Sequence, residues 1–421
     1  MPRRAPAAGY GPAVQRLLEE FEDVLNPSKR LPDTSHGVLH HLQTSGPPIS
    51  SLFRRLDAEK LAAAKAEFST LERDGILCRS DSPWASPLHM VRKPDGSWCP
   101  CGDYRRLNGV TVLDSYPLPN IMDFVARLEG ATVFSMIDLR KGYHQIPMSA
   151  ADIMKTAIVT PFGLFEFTRM MFGMRNAGNT CQRFMDRVMA ASPEFAYLDD
   201  VLVASADAQQ HAADLRDVFL RLRKAGLVVN GEKCLFAAAE LDFLGHHVSA
   251  SGITPLLSRL AANQLHPRPG TIQELMAFLG TINFYRRFIP TAATILRPLN
   301  DALVGSPPLK SAVPWSDDMA DAFQAAKDAL SAATTLAHPW QAAEMAFMVD
   351  VSAGHVGASL LQRASPRAAW QPLGFSRRSS CRRRLATPPS TGSFWPASPA
   401  YAISASCWKV AVSSSTPTIS R

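Results

Sequence analysis

Apolar runs of strand length alternate with helical stretches between residues 84 and 250, and this alternation predicts an α+β fold. Strands are predicted at residues 88–92, 133–138, 157–159, 164–168, 195–197, 201–203 and 227–229. A helix is predicted over 208–225, because apolar residues recur there at helical spacing and Gly226 follows as a stop. Its apolar positions, which predict a buried face, are Leu215, Val218, Phe219 and Leu222. An earlier helix is expected between Asp57, a good N-cap residue, and Gly75.

The region from 251 to 335 is expected to be mostly helical. Thr271 and Glu274 have the spacing of a capping box, and apolar residues at helical spacing follow them. A second helix is expected over 317–333, before one buried strand at 345–351.

The two ends of the chain differ from its body. Residues 1–50 are rich in Pro, His and Ser around one short amphipathic piece, and they are expected to form a leader that wraps a domain without forming one. Residues 377–421 contain eleven Ser and neither Asp nor Glu, and they show no period. Such a segment cannot bury enough apolar surface to fold alone, so we expect this tail to be disordered.

Net charge does not identify a partner. The chain carries 44 Lys and Arg against 37 Asp and Glu, a formal charge of +7. Seven of the basic residues lie in the acid-free tail, so the body is balanced overall. Only local basic patches could therefore indicate binding to nucleic acid.

Cysteine usage and hydropathy favour an intracellular protein. The seven Cys are scattered and form no quartet at zinc spacing, which is typical of a reducing compartment. No apolar run reaches the length that a bilayer requires, and no secretory signal follows Met1. We expect a cytoplasmic or nuclear location without a membrane span.

Acidic residues at strand ends are the candidate chemistry. Asp199 and Asp200 stand between two apolar runs, where they could simply form a hairpin turn. Asp138 ends another strand-like run. If the strand end faces the hairpin tip, the three carboxylates make an oxygen-only site of the kind that holds two Mg²⁺ ions about 3.5–4 Å apart and serves phosphoryl transfer.

Several motifs occur together in one order along the chain. They are Ser82-Pro83-Trp84-Ala85-Ser86-Pro87, Gly102-Asp103-Tyr104-Arg105-Arg106-Leu107-Asn108, Ile137-Asp138-Leu139, Gly142-Tyr143-His144-Gln145-Ile146 and Tyr197-Leu198-Asp199-Asp200. With them the chain resembles the reverse transcriptase of gypsy-type LTR retrotransposons, an internal part of a pol polyprotein, from about residue 40 to 375. The resemblance implies an RNA-directed DNA polymerase, a nucleotidyltransferase that uses two Mg²⁺ per active site, dNTPs, and an RNA or DNA template with a primer.

The resemblance also implies a right-hand polymerase followed by an incomplete ribonuclease H-like α/β unit. After the leader at 1–50, it places fingers and palm at 51–250 and thumb and connection at 251–335. A truncated ribonuclease H-like domain is then expected at 336–376, before the tail at 377–421.

Roles for single residues follow from the same resemblance. Asp138 and Asp199 are expected to be the main metal ligands and Asp200 a less direct one. Tyr143 is expected to lie under the sugar and to exclude a 2′-hydroxyl, with a half-buried core tyrosine as the alternative.

Other motif positions imply contacts with nucleotide and primer. Lys93 is expected to meet the triphosphate, and Phe172 with Gly173 to contact the incoming nucleotide and the template. Leu244 and Gly245 are expected to position the primer terminus. Gln182 is expected to pack or to touch the template rather than to take part in the chemistry.

Three departures from the family pattern leave two hypotheses open. Cys99 stands where the family carries an Arg that braces the triphosphate, and a thiol cannot make that bidentate contact. Met171 and Cys181 replace a usual Pro and Phe, and the segment before Tyr197 is one residue short. The chain is therefore either an active polymerase or a catalytically decayed remnant that folds and binds nucleic acid.

Ribonuclease H activity is expected to be absent. Asp350 matches the first catalytic carboxylate of that fold, but no Asp or Glu follows it, and two-metal hydrolysis needs more acids. Residues 389–420 can be back-translated so that the neighbouring frame reads FDRELL and then YTDH, as the family continues. A frameshift between about 376 and 389 is therefore expected.

Overall fold

The computed structural model describes residues 11–25, 36–93, 96–340, 342–352 and 355–379. It confirms the α+β class, with helices and strands interspersed along the chain. The fold divides into two units: the chain up to Ile121 with Val133–Ala238, and Met122–Thr132 with the chain from Ala239 onward. The domain boundaries expected from the sequence stay predictions.

The helices and strands have the following bounds. Among the described residues, the α-helices are α1 (Pro12–Glu20), α2 (Glu22–Leu25), α3 (Ala58–Arg73), α4 (Arg105–Val110), α5 (Ala177–Val188), α6 (Ala208–Lys224), α7 (Leu257–Gln264), α8 (Ile272–Phe284), α9 (Ala292–Ile295), α10 (Arg297–Asp301) and α11 (Asp317–Ser331). The strands there are β1 (Leu77–Arg79), β2 (Ser86–Arg92), β3 (Trp98–Gly102), β4 (Val133–Asp138), β5 (Ile158–Thr160), β6 (Gly163–Phe167), β7 (Phe195–Tyr197), β8 (Asp200–Ser205), β9 (Leu235–Ala238), β10 (Glu240–Phe243), β11 (His246–Ser249), β12 (Gly252–Pro255), β13 (Glu344–Ser352), β14 (His355–Arg363) and β15 (Gln371–Ser379).

The first unit contains a four-stranded sheet in the order β7-β8-β4-β9. Strand β4 lies inside this sheet and pairs antiparallel with β8 and β9. Its central residues are buried because helix α6 covers the sheet with the apolar stripe predicted from the sequence, Leu215, Val218, Phe219 and Leu222.

A second sheet of this unit has the order β1-β6-β5-β2-β3. Helix α3 begins where expected, since the carboxylate of Asp57 accepts a hydrogen bond from the Lys60 N–H at 2.9 Å. Phe68 of α3 packs edge-on against Phe165 of β6, with ring centroids 5.1 Å apart. This helix therefore belongs to the core that supports the β2–β3 hairpin.

Residues 11–25 pack on the same unit. The Phe21 ring lies 5.3 Å from the Phe219 ring of α6. Glu20 and Asp23 pair with Arg216 and Arg223 of that helix. Residues 11–25 thus cover the outer face of α6.

The second unit carries two three-stranded sheets, β10-β11-β12 and β13-β14-β15. The capping box of α8 forms as expected, with Glu274 N–H donating to Thr271 Oγ1. The expectation of a mostly helical region missed β12, and the buried strand at 345–351 is found as β13. Strand β15 runs to Ser379, past the predicted start of the tail; residues 380–421 lie outside the described residues.

The strand predicted at 227–229 does not form. One isolated bridge joins Val229 to Leu139. The peptide groups of Val228 bond instead to the Gln145 side chain, whose Oε1 accepts at 2.9 Å and whose Nε2 donates at 2.7 Å. The Gln145 side chain therefore supplies the hydrogen bonds that a neighbouring strand would otherwise make with Val228.

No helix among the described residues has both the length and the apolar run needed to cross a bilayer.

Candidate active site

The end of β4 brings two of the predicted carboxylates together. Asp138, the last residue of β4, is directly opposite Asp200, the first residue of β8. Directly opposite residues of an antiparallel pair project from the same face of the sheet. The sequence prediction that a strand end faces the hairpin tip is therefore confirmed for these two residues.

The hairpin tip itself has a strained backbone. Tyr197 pairs with Asp200, so Leu198 and Asp199 form a two-residue turn. Leu198 has a φ of 55°, in the left-handed region that a leucine rarely adopts. Such conformations persist only where surrounding contacts hold them, and they concentrate at functional sites.

Gln182 of α5 holds this tip. Its Oε1 accepts a hydrogen bond from the Leu198 N–H at 2.8 Å, and its Nε2 donates to the Ala196 carbonyl at 3.0 Å. The side chain is fully buried. Gln182 therefore packs against the site, as expected, but it also fixes the backbone of the turn, which the sequence analysis missed. The available signal was one polar side chain on the apolar face of a helix.

The tip also bonds to the end of β4. The Leu139 N–H donates to the Asp199 carbonyl at 2.9 Å. A Cβ on Gly142 would lie 2.6 Å from the Asp199 Cβ, so only glycine allows this approach. Burial raises the pKa of the Asp199 carboxyl, and nearby Lys233 partly offsets that rise.

Lys233 is a site residue that the sequence analysis did not identify. Its Nζ lies 3.8 Å from Asp138 Oδ1, and its charge also acts on Asp199. The sequence signal for its position was the Asn230-Gly231 turn just before it. After this turn the chain forms β9, which pairs with β4, so Lys233 comes close to the end of β4. The ammonium group of Lys233 therefore interacts electrostatically with both carboxylates.

Tyr143 lies beside these groups in a half-buried position. Its hydroxyl would be 3.7 Å from a Cβ on Gly178 of α5. Burial raises the pKa of the phenol, and the neighbouring Asp199 adds to the rise. Burial likewise raises the pKa of the Cys181 thiol to about 12, so this cysteine is an inert packing residue.

The predicted nucleotide contacts lie around the other sheet. Lys93 is exposed in the turn that follows β2, where its N–H donates to the Ser97 carbonyl at 2.7 Å. Phe172 is partly exposed, and Gly173 has a φ of 85°. The Gly173 carbonyl accepts a hydrogen bond from Asn108 Nδ2 at 2.9 Å. None of the described contacts joins Lys93 to the carboxylates.

The predicted primer-positioning residues form a turn in the second unit. Leu244 and Gly245 have φ values of 44° and 85°. The Tyr285 hydroxyl donates to the Gly245 carbonyl at 2.8 Å, and a ring nitrogen of His246 lies 3.1 Å from the Leu244 carbonyl. Both carbonyl groups of the turn therefore lie within hydrogen-bond distance of a side chain.

The departures from the family pattern leave the hairpin in register. Strands β7 and β8 pair continuously from Phe195 with Leu202 to Tyr197 with Asp200. The short segment before β7 therefore does not slip the carboxylates to the other face. Cys99 is half-buried on β3, opposite Val91.

The donor set fits Mg²⁺ in one respect. Its oxygens are carboxylates, the hard ligands that this ion prefers. Among the described residues, however, no group of three or more His, Cys, Asp or Glu side chains could hold a metal by itself. Mg²⁺ usually combines one or two carboxylates with substrate phosphates and water, so a pair of carboxylates has the composition of the protein's share of such a site.

Two family descriptions match the chain. Residues 91–248 match reverse transcriptase (RNA-dependent DNA polymerase), and residues 315–385 match the RNase H-like domain found in reverse transcriptase. The first match contains all the predicted site residues. The second begins before α11 and covers β13–β15.

Retrotransposon proteins are similar over most of the chain. The retrovirus-related Pol polyprotein from transposon 297 of Drosophila melanogaster is 34% identical over 69% of this chain, which spans 28% of that protein. The polyprotein from transposon opus of the same organism is 32% identical over 87% of this chain and 38% of its own length. The chain thus spans only about a third of these relatives.

The fold is similar to a solved reverse transcriptase. The foamy viral protease-reverse transcriptase in complex with double-stranded DNA superposes with a TM-score of 0.78. The match covers 88% of this chain and 65% of that one, at 20% identity.

Proposed function

Because the chain belongs to the reverse transcriptases of gypsy-type LTR retrotransposon Pol polyproteins, we propose that it is an RNA-directed DNA polymerase that extends a primer 3′-hydroxyl. The observation that carries the proposal is the pairing of Asp138 with Asp200 beside the strained turn at Asp199. We therefore assign to these three residues the catalytic role that the resemblance implies. The duplex DNA bound by the foamy viral relative supports a template–primer duplex as the partner.

We propose Asp138 and Asp199 as the main ligands of two Mg²⁺ ions and Asp200 as a less direct one. Bound divalent ions would lower the pKa of the attacking hydroxyl and neutralise charge on the transferred phosphorus and the leaving pyrophosphate. The protein's own contribution is orientation: Gln182 and the Leu139 N–H fix the turn that presents Asp199.

Lys233 is proposed to balance the carboxylates when no substrate is bound. Its ammonium lies 3.8 Å from Asp138 and is exposed, so it can turn toward phosphate groups that arrive at the same place. A flexible point charge suits this double role better than a planar guanidinium would.

The remaining positions complete the proposed substrate site. Tyr143 would lie under the sugar and select dNTPs, and its closeness to Asp199 supports this assignment. Lys93 would meet the triphosphate, with Phe172 and Gly173 contacting nucleotide and template. Leu244 and Gly245 would position the primer terminus, in a turn that Tyr285 holds.

A second candidate function is a decayed remnant that binds nucleic acid without catalysis. Cys99 favours it, since a thiol replaces the arginine expected to contact the triphosphate. The intact register of Asp138 with Asp200 favours activity. We also propose that ribonuclease H activity is absent, because no acidic residue follows Asp350.

Primer extension on an RNA template with Mg²⁺ and dNTPs tests the proposed function. The parent chain should extend the primer, and Asp199→Asn should slow it by several orders of magnitude. The matched control is Asp81→Asn, which changes an exposed carboxylate of the same unit and should leave the rate unchanged. Template binding without extension by the parent chain would favour the remnant instead.

A further inference from the structure

A chain of hydrogen bonds crosses the apolar layer behind the carboxylates. It joins Ser135 of β4, His211 of α6, Ser205 of β8 and Asp214 of α6, and we name it the Ser135–His211 relay. Ser135 and His211 are fully buried, and Ser205 is 4% exposed. The proposed reaction does not use this relay directly.

The Asp214 end of the relay fixes the direction of the bond between His211 and Ser205. The Ala237 N–H donates to Ser135 Oγ at 2.8 Å, which leaves the Ser135 hydroxyl hydrogen and one lone pair for His211 Nε2, 2.6 Å away. At the other end the Ser205 hydroxyl donates to Asp214 Oδ2 at 2.6 Å. Ser205 Oγ must therefore accept from His211 Nδ1, 2.9 Å away.

The bond to Ser205 fixes the tautomer of the imidazole. Nδ1 carries a proton because it donates to Ser205, so a neutral ring has its lone pair on Nε2, which accepts from Ser135. Burial lowers the pKa of His211 to about 4, which agrees with a neutral ring. A second proton would turn Nε2 into a donor, and the Ser135 hydroxyl would then have to rotate and accept from it as well as from the Ala237 N–H.

The relay connects the elements that present the carboxylates. Ser135 lies three residues before Asp138 on β4, and Ser205 ends the strand that Asp200 begins. Ala237 lies on β9, on the other side of β4. One imidazole on α6 therefore bonds directly to two strands of the sheet and reaches the third through Ser135.

We propose that His211 is a positioning residue, whose Nδ1–H tautomer holds β4 and β8 at the separation that Asp138 and Asp200 require. The kinetic test of this inference rests on the proposed function, whereas the test of the tautomer does not. A fully bonded polar network adds little net stability, but it favours one arrangement, because any shift leaves a buried group unpaired.

The tautomer is tested without any activity measurement. Nitrogen-15 NMR of the histidine side chains, with the His211→Gln chain to assign the signal, should show protonated Nδ1 and unprotonated Nε2 from pH 8 to about pH 5. The opposite tautomer, or a titration near the ordinary value of 6.5, would overturn the proposal.

The positioning role is tested by the Mg²⁺ dependence of primer extension. His211→Phe removes both bonds and should lower kcat about ten-fold and raise the half-saturating Mg²⁺ concentration several-fold, with the KM for template–primer nearly unchanged. His211→Gln keeps one acceptor and one donor and should recover most of both losses. Val218→Ala creates a comparable defect in the same buried helix face without touching the relay, and it should leave the Mg²⁺ dependence unchanged.

If His211→Phe changed Mg²⁺ dependence no more than Val218→Ala at equal folded fraction, the residue would be structural only. A parent chain without polymerase activity would contradict the proposed function, and the tautomer measurement would then decide the relay alone.

Discussion

The backbone N–H of Leu139 donates to the carbonyl oxygen of Asp199, over 2.9 Å. This bond joins the residue after one catalytic candidate to the backbone of another. The end of β4 and the hairpin tip are therefore one unit, and a change that moves the tip should affect the site while the sheet stays folded.

Gly142→Ala should displace Asp199. The new Cβ would lie 2.6 Å from the Asp199 Cβ, closer than real Cβ contacts allow. We expect primer extension to fall at least about ten-fold, with far-UV circular dichroism unchanged. Gly109→Ala, where nothing lies within 4 Å of the added Cβ, is the control and should keep the rate. Equal rates for both variants would show that the Asp199 position is not critical.

Gln182→Leu should release the turn. It leaves the Leu198 N–H and the Ala196 carbonyl without their partner, at a cost of about 1–3 kcal/mol in the free energy of unfolding. Activity should fall further than stability accounts for, because the left-handed Leu198 loses its support. Urea unfolding and primer extension measured on the same sample separate the two effects. A loss of stability with the parent kcat would contradict this account.

Cys99→Arg should improve the use of dNTPs. A charge-assisted contact with phosphate contributes about 1.5–3 kcal/mol, which is roughly ten-fold or more in kcat/KM. Cys99→Ala, which removes the thiol without adding charge, should behave as the parent. Unchanged kinetics in both variants would mean that this position does not contact the nucleotide.

Stability should fall below about pH 6.5. Burial lowers the pKa values of His40, His144 and His246 to about 4. The unfolded chain takes up these protons near 6.5 and the folded chain does not, so the free energy of unfolding decreases as pH falls from 6.5 toward 4. Each histidine contributes about 1–2 kcal/mol of that decrease by pH 5. Urea midpoints at pH 7 and pH 5 test the trend, which should be weaker in His144→Gln.

The purified chain should not cleave the RNA strand of an RNA–DNA hybrid. No Asp or Glu follows Asp350 in this sequence, and two-metal hydrolysis needs further carboxylates, so we expect no cleavage. Any cleavage that Asp350→Asn abolishes would show that the prediction is wrong. The nucleotide sequence tests the proposed cause, since a second frame without the missing motifs would exclude a frameshift.

The sequence predicted the elements that carry the carboxylates well. The bounds of β4 and β7 match the expected 133–138 and 195–197, because the apolar run of β4 ends at Asp138 and that of β7 ends two residues before Asp199. Helix α6 begins at its predicted first residue and ends one residue early. In these elements local pattern and tertiary packing favour the same structure.

Contacts that depend on tertiary structure were not predictable. The bond of Gln182 with Leu198 and the approach of Lys233 to Asp138 join residues 16 and 95 positions apart, and no period in the chain encodes them. Strand 227–229 failed for the same reason, since Gln145 supplies the hydrogen bonds from 83 residues away. The short strands β9–β12 lacked a long apolar alternation that would reveal them.

The packing of residues 11–25 on α6 has a consequence during synthesis. The ring of Phe21 meets Phe219 about two hundred residues later in the chain, so α1 leaves the ribosome long before its partner exists. Until then Val14, Leu17 and Phe21 have no surface to cover them. Folding of this unit must therefore wait for the late-translated helix, and the nascent chain presents an apolar segment to which a chaperone can bind.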